Sequence, residues 1–524
     1  MAGYDVIVIG AGLNGLTAAV YLAKAGKRVL VIDERAQMGG TAVSEELAPG
    51  YRIEPVAIDS GWLSPQLMRD LDLARHGLAL LPLETALVTP RVDGAAFTLW
   101  SDQRKTLEAL RKESPRDAEQ WPAFTQTMSR LAGFLGVLYT QPAPDMMGAG
   151  VRNLLELATM GRKLRALGKA DLVELLRTLP MPVAELLDDT FESESLKATI
   201  GAGGVSGICQ GVRSAGTAFV LLHNHVGGAP GAFRMRPRAR GGASAIASAL
   251  LKAALAAGVQ TRTGTRVQSI RIKDGRAIGV QLASGEEIGA TTVLSSADAR
   301  STLLELASPS ELDPELVRAV SNIRFRGVSA RVHLALGELP RFKGVEPDAL
   351  RGIISIAPTL DYIERAYDDA KHGGVSKQPL LEITIPSLTD PGTAPPGKHV
   401  MSITMQYAPY TLKQGVWDNT RRAALGEDVI RLLEQYAPGL SKLILHQLVL
   451  TPADLEERFG LPEGSVDDGE FGLDQILFMR PLAGWSRYRT PITGLYLGGS
   501  GSHPGRTIVG GSGHLAARTI LNDR

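Results

Sequence analysis

The chain has 524 residues, too many for a single hydrophobic core, so two or three lobes are expected. Its 56 basic and 55 acidic residues leave a net charge of +1 at pH 7, which argues against a nucleic-acid-binding surface. The single cysteine, Cys209, excludes an internal disulfide and a redox-active cysteine pair. A flavoprotein of the disulfide-reductase type is therefore excluded.

The first forty residues predict a strand–turn–helix–strand unit. Val6–Ile9 is a continuous β-branched run, typical of a strand buried on both faces. It ends in a GxGxxG turn, Gly10–Gly15, and apolar residues at helical spacing follow over 17–26. A second apolar run over 29–32 predicts another buried strand, which ends at Asp33.

Each part of this unit suits dinucleotide binding. The first glycine permits a tight turn, the second a close approach to a pyrophosphate, and the third close packing of helix on strand. The helix N-terminus offers free N–H groups to phosphates, and an acid about 20 residues on accepts hydrogen bonds from a ribose. The predicted cofactor-binding residues here are Gly10, Gly12, Leu13, Asn14, Gly15 and Asp33.

A second glycine pair indicates which dinucleotide binds. Glu34 and Arg35 are followed by Gly39, Gly40 and Thr41. An acid and arginine followed by two glycines resemble the flavoprotein branch of the fold, in which both loops hold FAD. These five residues are therefore added to the predicted FAD site, although a surface turn is the alternative.

Residues 101–196 predict a helical insertion, because apolar residues recur at i, i+3 and i+4. It follows a loop and edge strand over 46–62 and two or three strands over 78–100. Within the insertion, residues 151–176 combine leucines with Arg152, Arg162, Lys163, Arg165 and Lys169. This basic amphipathic stretch predicts either peripheral contact with a membrane surface or the solvated face of a bundle helix.

After a glycine turn at 241–242, an Ala/Leu helix and short strands over 259–296 fit a return to the cofactor lobe. Residues 301–470 mix predicted strands (330–336, 380–385, 399–406) with predicted helices (361–370, 420–436), which indicates an α+β lobe covering the substrate. No internal repeat is present.

The last fifty residues repeat the strand, glycine turn and helix pattern. A predicted strand over 494–499 precedes a glycine turn at 510–513 and a helix over 514–521. That helix N-terminus would stabilise a flavin that becomes anionic on reduction. The further predicted FAD-binding residues are Val267, Gly499, Ser500, Val509, Gly510 and Gly511.

The predicted fold class is therefore α/β, with a Rossmann-type FAD-binding lobe, a discontinuous α+β substrate lobe and a helical insertion. We assign residues 1–60, 236–300 and 471–524 to the FAD lobe. Residues 61–100 and 301–470 are assigned to the substrate lobe, and residues 101–235 to the helical insertion.

Beyond these motifs, long stretches of the chain resemble the phytoene-desaturase-like FAD oxidoreductases. The nearest likeness is to the branch with bacterial β-carotene ketolases and pyridine nucleotide-disulfide oxidoreductase domain-containing protein 2. The stretches that carry the resemblance are residues 6–35, 191–200 (FESESLKATI), 216–228 (GTAFVLLHNHVGG), 381–400, 450–464 (LTPADLEERFGLPEG), 473–481 and 488–505.

The resemblance implies FAD beneath a substrate lobe, and hydride transfer between a C–H bond and the flavin. Non-covalent binding of FAD is expected because no cysteine lies near either glycine loop. Two departures from the family pattern bear on the substrate. Relatives follow HPG with glycines and a valine, whereas Arg506, Thr507 and Ile508 stand here. Relatives have Phe-His where this chain has Asp467 and Asp468. Both departures disfavour a wholly apolar carotenoid and favour a shorter or partly polar substrate.

Candidates for catalysis are few, because flavin performs the redox step itself. His503 lies between the last strand and the flavin-facing helix, where a catalytic and a structural role are both open. Arg506 is expected to stabilise the reduced flavin or pair with a polar group of the substrate; a surface arginine is the alternative.

Four further residues are predicted to line the substrate cavity. His223 and His225 are two apart, which in a strand places both on one face. Trp485 and Tyr488 precede the last strand and would border the flavin, with core packing as the alternative. No metal site is predicted.

We expect an FAD-dependent dehydrogenase or desaturase that removes hydride from a C–H bond and passes electrons to oxygen or a quinone. One alternative is an FAD oxidase of amines or other heteroatom substrates, although the 5% aromatic content disfavours the aromatic cage that an amine oxidase needs. The other alternative is a flavin-bound isomerase or interaction protein. The expected partner is a small organic molecule and not a nucleic acid. No targeting segment or membrane span is predicted, so a cytoplasmic location is expected, with peripheral membrane association through the helical insertion left open.

Overall fold

A computed structural model describes residues 3–57, 61–82, 85–143, 151–229, 234 and 236–523. The strands in these residues are β1 Tyr4–Ile9, β2 Val29–Ile32, β3 Glu45–Ala48, β4 Tyr51–Ile53, β5 Leu80–Leu81, β6 Thr85–Pro90, β7 Ala96–Trp100, β8 Arg238–Ala239, β9 Gln260–Arg262, β10 Val267–Lys273, β11 Arg276–Leu282, β12 Glu287–Ser295, β13 Ser329–Leu336, β14 Ile353–Ile356, β15 Leu381–Thr384, β16 His399–Gln406, β17 Ile444–Leu450 and β18 Leu495–Leu497.

The helices are α1 Leu13–Lys24, α2 Pro65–Asp70, α3 Gln103–Glu113, α4 Pro115–Tyr139, α5 Val151–Ala166, α6 Gly168–Thr178, α7 Val183–Asp188, α8 Glu194–Gly201, α9 Thr217–His225, α10 Gly242–Ala256, α11 Pro314–Ser321, α12 Leu360–Ala370, α13 Asn419–Glu434, α14 Leu440–Leu443, α15 Pro452–Phe459 and α16 Gly511–Asn522.

The first sheet is built around β1. Its parallel strands lie in the order β18, β12, β1, β2 and β9, and β10 and β11 extend it antiparallel from the other end of β12. Val6 and Val8 pack with α1, α10 and α16 on one face, while Ile7 and Ile9 pack against the antiparallel strands on the other. Burial on both faces explains the unbroken apolar run of β1.

The second sheet has the order β17, β13, β16, β15, β14, β6 and β7 and is mostly antiparallel. Val332 and Leu334 of β13 pack with Val429 and Leu433 of α13 on one face. The opposite face carries buried polar side chains. Two sheets and their helices form the Rossmann-type lobe and the α+β lobe of the expected fold class; the predicted lobe boundaries stay predictions.

Helices α3 to α9 lie between β7 and β8, in the segment predicted to be a helical insertion. Trp121, Phe124 and Phe191 pack together in its core. The stretch with His223 and His225 is the helix α9 and not a strand. The prediction that both histidines point to one face of a strand is therefore wrong. Two residues on a helix are about 200° apart and point to different sides. In the described residues no helix is long and apolar enough to cross a membrane.

Candidate active site

The GxGxxG turn has the geometry that its three glycines imply. Gly10 has a φ of 91°, which glycine adopts without strain. A Cβ on Gly15 would lie 2.1 Å from the carbonyl oxygen of Gly10, so only glycine lets α1 pack this closely on β1. A Cβ on Gly12 would meet nothing nearer than Gly40 Cα at 3.8 Å. The Gly12 backbone is therefore the part of the turn that is open to a ligand.

Asp33 follows β2 and fastens two loops together. Its Oδ2 accepts a hydrogen bond from the Ala11 N–H at 2.7 Å, and its Oδ1 accepts one from the Arg35 N–H at 2.9 Å. The carboxylate is 6% exposed. Because a carboxylate can accept about four hydrogen bonds, it keeps capacity for ribose hydroxyls. Glu34 is exposed, and its carboxylate lies 4.0 Å from Arg266.

The second glycine pair lies directly on the first turn. Gly39 pairs with Gly12 as an isolated bridge, and its N–H donates to Ala11 O at 2.9 Å. A Cβ on Gly40, which has a φ of 65°, would lie 2.8 Å from Gly12 Cα. Thr41 follows and is half-buried. The structure thus brings together the two loops that the sequence assigned to one cofactor.

The N-termini of α1 and α16 meet at the same place. A Cβ on Gly513 would lie 1.9 Å from Asn14 O, and the Gly513 N–H donates to Asn14 Oδ1 at 3.3 Å. Asn14 Nδ2 donates to Ser500 Oγ at 3.2 Å. Because the positive dipole ends of both helices lie at this place, they favour a ligand that carries phosphates or becomes anionic on reduction.

Of the remaining predicted cofactor residues, Leu13 and Gly499 lie near this point, whereas Val267 lies on the other face of the first sheet. Leu13 opens α1 and packs beside Ala42 and Ala247. A Cβ on Gly499 would lie 2.3 Å from Ser296 O, so β18 leaves the sheet in close contact with β12. Val267 begins β10 and is buried in the core on the other face of the first sheet.

The turn before α16 is fixed to the segment around Trp62. The Trp62 N–H donates to Thr507 O at 2.7 Å, and the Val509 N–H donates to Trp62 O at 2.9 Å. Gly510, with a φ of 68°, caps α16, and a Cβ there would lie 2.5 Å from Thr17 Oγ1. Gly511 starts the helix. These glycine cradles and the accepting carboxylate of Asp33 fit an extended dinucleotide such as FAD.

His223 connects α4 to the turn before α16. Its Nδ1 shares a hydrogen bond with the Tyr139 hydroxyl at 2.8 Å, and its Nε2 shares one with Thr507 Oγ1 at 2.6 Å. Burial, followed by the charges of Arg236 and Arg480, lowers the pKa of His223 well below its usual value. His223 is therefore neutral at pH 7 and can pass a proton between the two hydroxyls.

His225, two residues on, is placed differently. Its Nδ1 accepts the Arg234 N–H at 3.3 Å, and burial lowers its pKa to about 4. The side chain lines a cleft together with Trp62 and residues of α4. The structure separates the two histidines.

His503 lies beside Tyr139, with ring centroids 5.7 Å apart in an edge-to-face arrangement. Both ring nitrogens are buried without a hydrogen-bond partner of good geometry in the described residues. Burial lowers the pKa of His503 to about 4, although the nearby backbone of Leu138 and Gln141 opposes this. The imidazole is therefore neutral at pH 7.

The two predicted aromatic residues occupy different faces of the first sheet. Tyr488 is fully buried with the α1 and α16 core, and its hydroxyl donates to His503 O at 3.0 Å. Trp485 packs on the opposite core, against the antiparallel strands. Tyr488 thus positions the backbone of His503, and Trp485 lies on the other side of the sheet.

Arg506 and Asp467, two departures from the family pattern, form an ion pair. Arg506 Nε lies 2.5 Å from Asp467 Oδ1, and the side chains are 35% and 7% exposed. The guanidinium therefore has an acidic partner within the protein. The neighbouring Asp468 is half-buried, and desolvation together with the charge of Asp298 raises its pKa to about 7, against the effect of Arg480.

The polar face of the second sheet is a feature that the sequence analysis missed. Arg331 of β13 is in register with Thr404 of β16, Thr404 with Glu382 of β15, and Glu382 with Ser355 of β14. All four are buried. We call Arg331, Thr404, Glu382 and Ser355 the polar row. Alternating polar residues within otherwise apolar strands were the signal that could have found it.

A cleft of about 380 Å³ opens between α4 and the end of α9, next to Trp62. Its described lining contains no Asp, Glu, Lys or Arg; the lining residues are Trp62, Ser129, Ala132, Gly133, Gly136, Val137, Thr140, His225, Val226, Gly227 and Gly228. The cleft therefore suits an apolar group. In the described residues no cluster of three or more His, Cys, Asp or Glu side chains is arranged to hold a metal ion.

The model of the family described as "Flavin containing amine oxidoreductase" matches residues 13–521 of the chain. The chain is 35% identical to pyridine nucleotide-disulfide oxidoreductase domain-containing protein 2 of Rattus norvegicus, over 99% of the chain and 94% of the relative. It is 29% identical to one of the subunits of limonene dehydrogenase from Castellaniella defragrans, over 99% and 94%. It is 28% identical to a neurosporene-forming phytoene desaturase of Cereibacter sphaeroides, over 98% and 93%.

Among solved structures, an oxidoreductase from Methanosarcina mazei superimposes with a TM-score of 0.60 at 16% identity, covering 99% of this chain and all of that one. At this identity the likeness shows the fold alone. The relatives confirm the resemblance to phytoene-desaturase-like FAD oxidoreductases, and the family confirms FAD as the cofactor.

Proposed function

Because the chain belongs to the family of flavin-containing amine oxidoreductases, it is an FAD-dependent oxidoreductase, and we propose that it removes a hydride from a C–H bond of an apolar or partly polar organic molecule. When bound, FAD supplies the hydride acceptor, and the electrons then pass to oxygen or a quinone. Two similar proteins are named as part of a limonene dehydrogenase and as a phytoene desaturase, which supports a carbon skeleton as the site of oxidation.

The uncharged cleft beside Trp62 is the observation that carries this proposal. Trp62 lines the cleft and is hydrogen-bonded through its backbone to Thr507 and Val509, so the cleft adjoins the turn before α16. A carbon chain or ring in the cleft loses no hydrogen bonds to water, whereas a protonated amine would need a carboxylate that the described lining lacks.

Neutral groups at the turn fit the same chemistry. His223 holds the hydroxyls of Tyr139 and Thr507 in one hydrogen-bonded chain. If the product is an alkene, a proton leaves the adjacent carbon, and the neutral imidazole of His223 would accept it through the Thr507 hydroxyl. The chain's own residues thus orient the substrate, exclude water and move a proton.

Anaerobic reduction of the holoenzyme tests the proposal. Candidate terpenes, fatty acyl chains and simple amines are mixed with the enzyme, and the visible flavin absorbance is followed. Bleaching by a carbon skeleton without an amine is expected. Bleaching by simple amines alone would assign the protein to the amine oxidases, and no bleaching by any redox substrate would favour an isomerase or interaction protein.

A matched pair of variants locates the chemistry. His223→Asn breaks the chain of hydroxyls and is expected to slow flavin bleaching by about 10- to 100-fold, the range for one proton-transfer group. His514→Asn is the control, because His514 is also buried but stacks on Tyr21 of α1, with ring centroids 4.3 Å apart. Equal rates for both variants would contradict a role for His223.

The basic helical stretch is also proposed to contact an anionic membrane surface. Leu154 and Leu155 of α5 and Val173 and Leu176 of α6 are more than half exposed, with Arg162 exposed nearby. The side chain of Arg152 lies outside the described residues. Sedimentation with phosphatidylserine vesicles, but not with pure phosphatidylcholine vesicles, is expected, and a Leu154→Asp/Leu155→Asp variant should stay in solution. Equal sedimentation of this variant would contradict the proposal.

A further inference from the structure

The polar row contains two buried groups whose hydrogen-bonding capacity is unused. Thr404 Oγ1 and Ser355 Oγ are enclosed and have no hydrogen-bond partner in the described residues. Thr404 stands directly between Arg331 and Glu382 in the sheet. Buried polar groups of folded proteins are nearly always paired, so unpaired hydroxyls in a row point to a ligand that completes them.

Arg331 is the charged group of the row that has no acid of its own. It is 3% exposed, and its hydrogen bonds go to the carbonyl oxygens of Val56, at 3.1 Å, and Ala330, at 3.2 Å. Within the described residues, Nη2 makes no hydrogen bond and no carboxylate forms an ion pair with Arg331. Burial lowers the pKa of Arg331 to about 9.

The acids near Arg331 are already paired with other arginines. Glu382 lies 2.7 Å from Arg234, and Asp467 lies 2.5 Å from Arg506. In this cluster of five side chains the two carboxylates pair with Arg234 and Arg506, and Arg331 is the guanidinium group without a carboxylate partner in the described residues. A buried charge is stabilised only when it is paired, and one carboxylate would balance this cluster.

The row faces the part of the molecule where the substrate is proposed to bind. Arg331 holds Val56, and His333 of the same strand face shares a hydrogen bond with Pro55 O at 3.2 Å. Six residues after Val56, Trp62 lines the uncharged cleft and is bonded to the turn before α16. A second link runs through Arg234, which pairs with Glu382 of the row and whose backbone N–H donates to His225 of the cleft.

We propose that Arg331 and Thr404 bind a carboxylate group carried by the substrate, while its carbon skeleton occupies the cleft beside Trp62. This rests on the proposed function and names the substrate class: an organic acid with an apolar chain or ring. Arg331 offers Nη2 to one carboxylate oxygen, and the Thr404 hydroxyl donates to the other. Arg506, which was expected to hold a polar group of the substrate, is instead engaged by Asp467.

The alternative for Arg331 is a structural role, in which its hydrogen bond to Val56 O holds the loop that contains Val56. That role needs one N–H donor and no charge, so Arg331→Gln can fulfil it. A carboxylate-binding role needs the charge and an N–H donor at the position of Nη2, so Arg331→Lys satisfies it only in part. The two roles therefore predict different rankings of the same variants.

Equilibrium binding to the holoenzyme separates these roles without turnover. Octanoate and its uncharged analogue octanamide are titrated while the flavin difference spectrum and the melting temperature are recorded. The parent is expected to bind octanoate at least about tenfold more tightly than octanamide, as a charge-assisted hydrogen bond implies. Inorganic phosphate, which has no carbon chain, should not compete.

The variants give the decisive comparison. Arg331→Gln should lose about tenfold or more in octanoate affinity with octanamide unchanged, and Arg331→Lys should lie between it and the parent. Thr404→Val should weaken octanoate about three- to tenfold. Arg300→Gln is the control, because it removes the same charge from the separate pair with Glu463. Should Arg331→Gln fail to fold, Arg331→Lys and Thr404→Val carry the test.

The carboxylate site would be overturned if Arg331→Gln bound octanoate as tightly as the parent, or if folded Arg331→Lys and Thr404→Val both did so. It would also be overturned if the parent bound octanamide as tightly as octanoate. Anaerobic bleaching by neutral hydrocarbons, with no preference for acids, would also overturn it while the proposed oxidation stands. Octanoate binding without bleaching by any substrate would keep the site and remove the proposed function.

Discussion

The pair of Arg506 and Asp467 gives a quantitative prediction. Arg506→Gly restores the residue type that the family pattern favours, yet here it leaves the 7%-exposed carboxylate of Asp467 without its partner at 2.5 Å. Breaking a fully buried pair costs about 3–5 kcal/mol, and an exposed pair contributes about 0.2–1 kcal/mol. Because Arg506 is 35% exposed, we expect Arg506→Gly to lower the free energy of unfolding by about 2 kcal/mol.

A double-mutant cycle isolates the pair. Asp467→Asn alone removes the charge but keeps the shape, and it should cost about 1 kcal/mol. The double variant should be more stable than the sum of the single changes implies, with a coupling energy of about 1–2 kcal/mol. Urea unfolding of all four proteins with saturating FAD measures this coupling, and the flavin reduction potential is recorded alongside.

Additive effects, within about 0.5 kcal/mol, would refute the assignment of these two residues to one ion pair. A changed flavin potential in Arg506→Gly that persists in the double variant would show that Arg506 acts on the flavin as well. A potential that stays at the parent value in both would restrict Arg506 to holding Asp467.

Further predictions concern the cofactor and pH. Acid denaturation should release FAD into the supernatant, because Cys209 lies outside both glycine loops; colour kept in the pellet would contradict this. Asp33→Ala should weaken FAD binding about 10- to 100-fold, measured by retention after dialysis. Gly15→Ala should abolish FAD binding, since its Cβ would lie 2.1 Å from Gly10 O, whereas Gly161→Ala, with nothing within 4 Å, should bind normally. Burial lowers the pKa of His333 in the folded protein to about 4, against 6.5 in the unfolded chain. Because the unfolded chain therefore binds the proton first, the contribution of His333 to stability is full above pH 6.5 and is lost as the pH falls towards 4. His333→Asn should therefore flatten urea-measured stability over that range by at most about 1.4 kcal/mol per pH unit, and an unchanged slope would contradict the buried neutral imidazole.

The helix α9 shows where short-range patterns mislead. His223 and His225 are two apart, a spacing that places both on one face only in a strand. Apolar residues fill the stretch on all sides, because α9 is buried within the helical insertion. Without a polar side the sequence has no period that distinguishes a buried helix from a buried strand. Contacts with α4 and the turn before α16 then separate the two histidines.

The sequence alone determined the strand, turn and helix of the predicted cofactor loops, since these and Asp33 lie within thirty residues and each needs a particular residue type. The same is true of the helical insertion, whose spacing is local. Only the tertiary structure decided the polar row, because Arg331, Thr404 and Glu382 come from strands separated in the chain and meet through sheet register. It also decided that Arg506 faces Asp467. Local periodicity fixes which residues form an element, but the side chains that meet across elements are set by packing between distant parts of the chain.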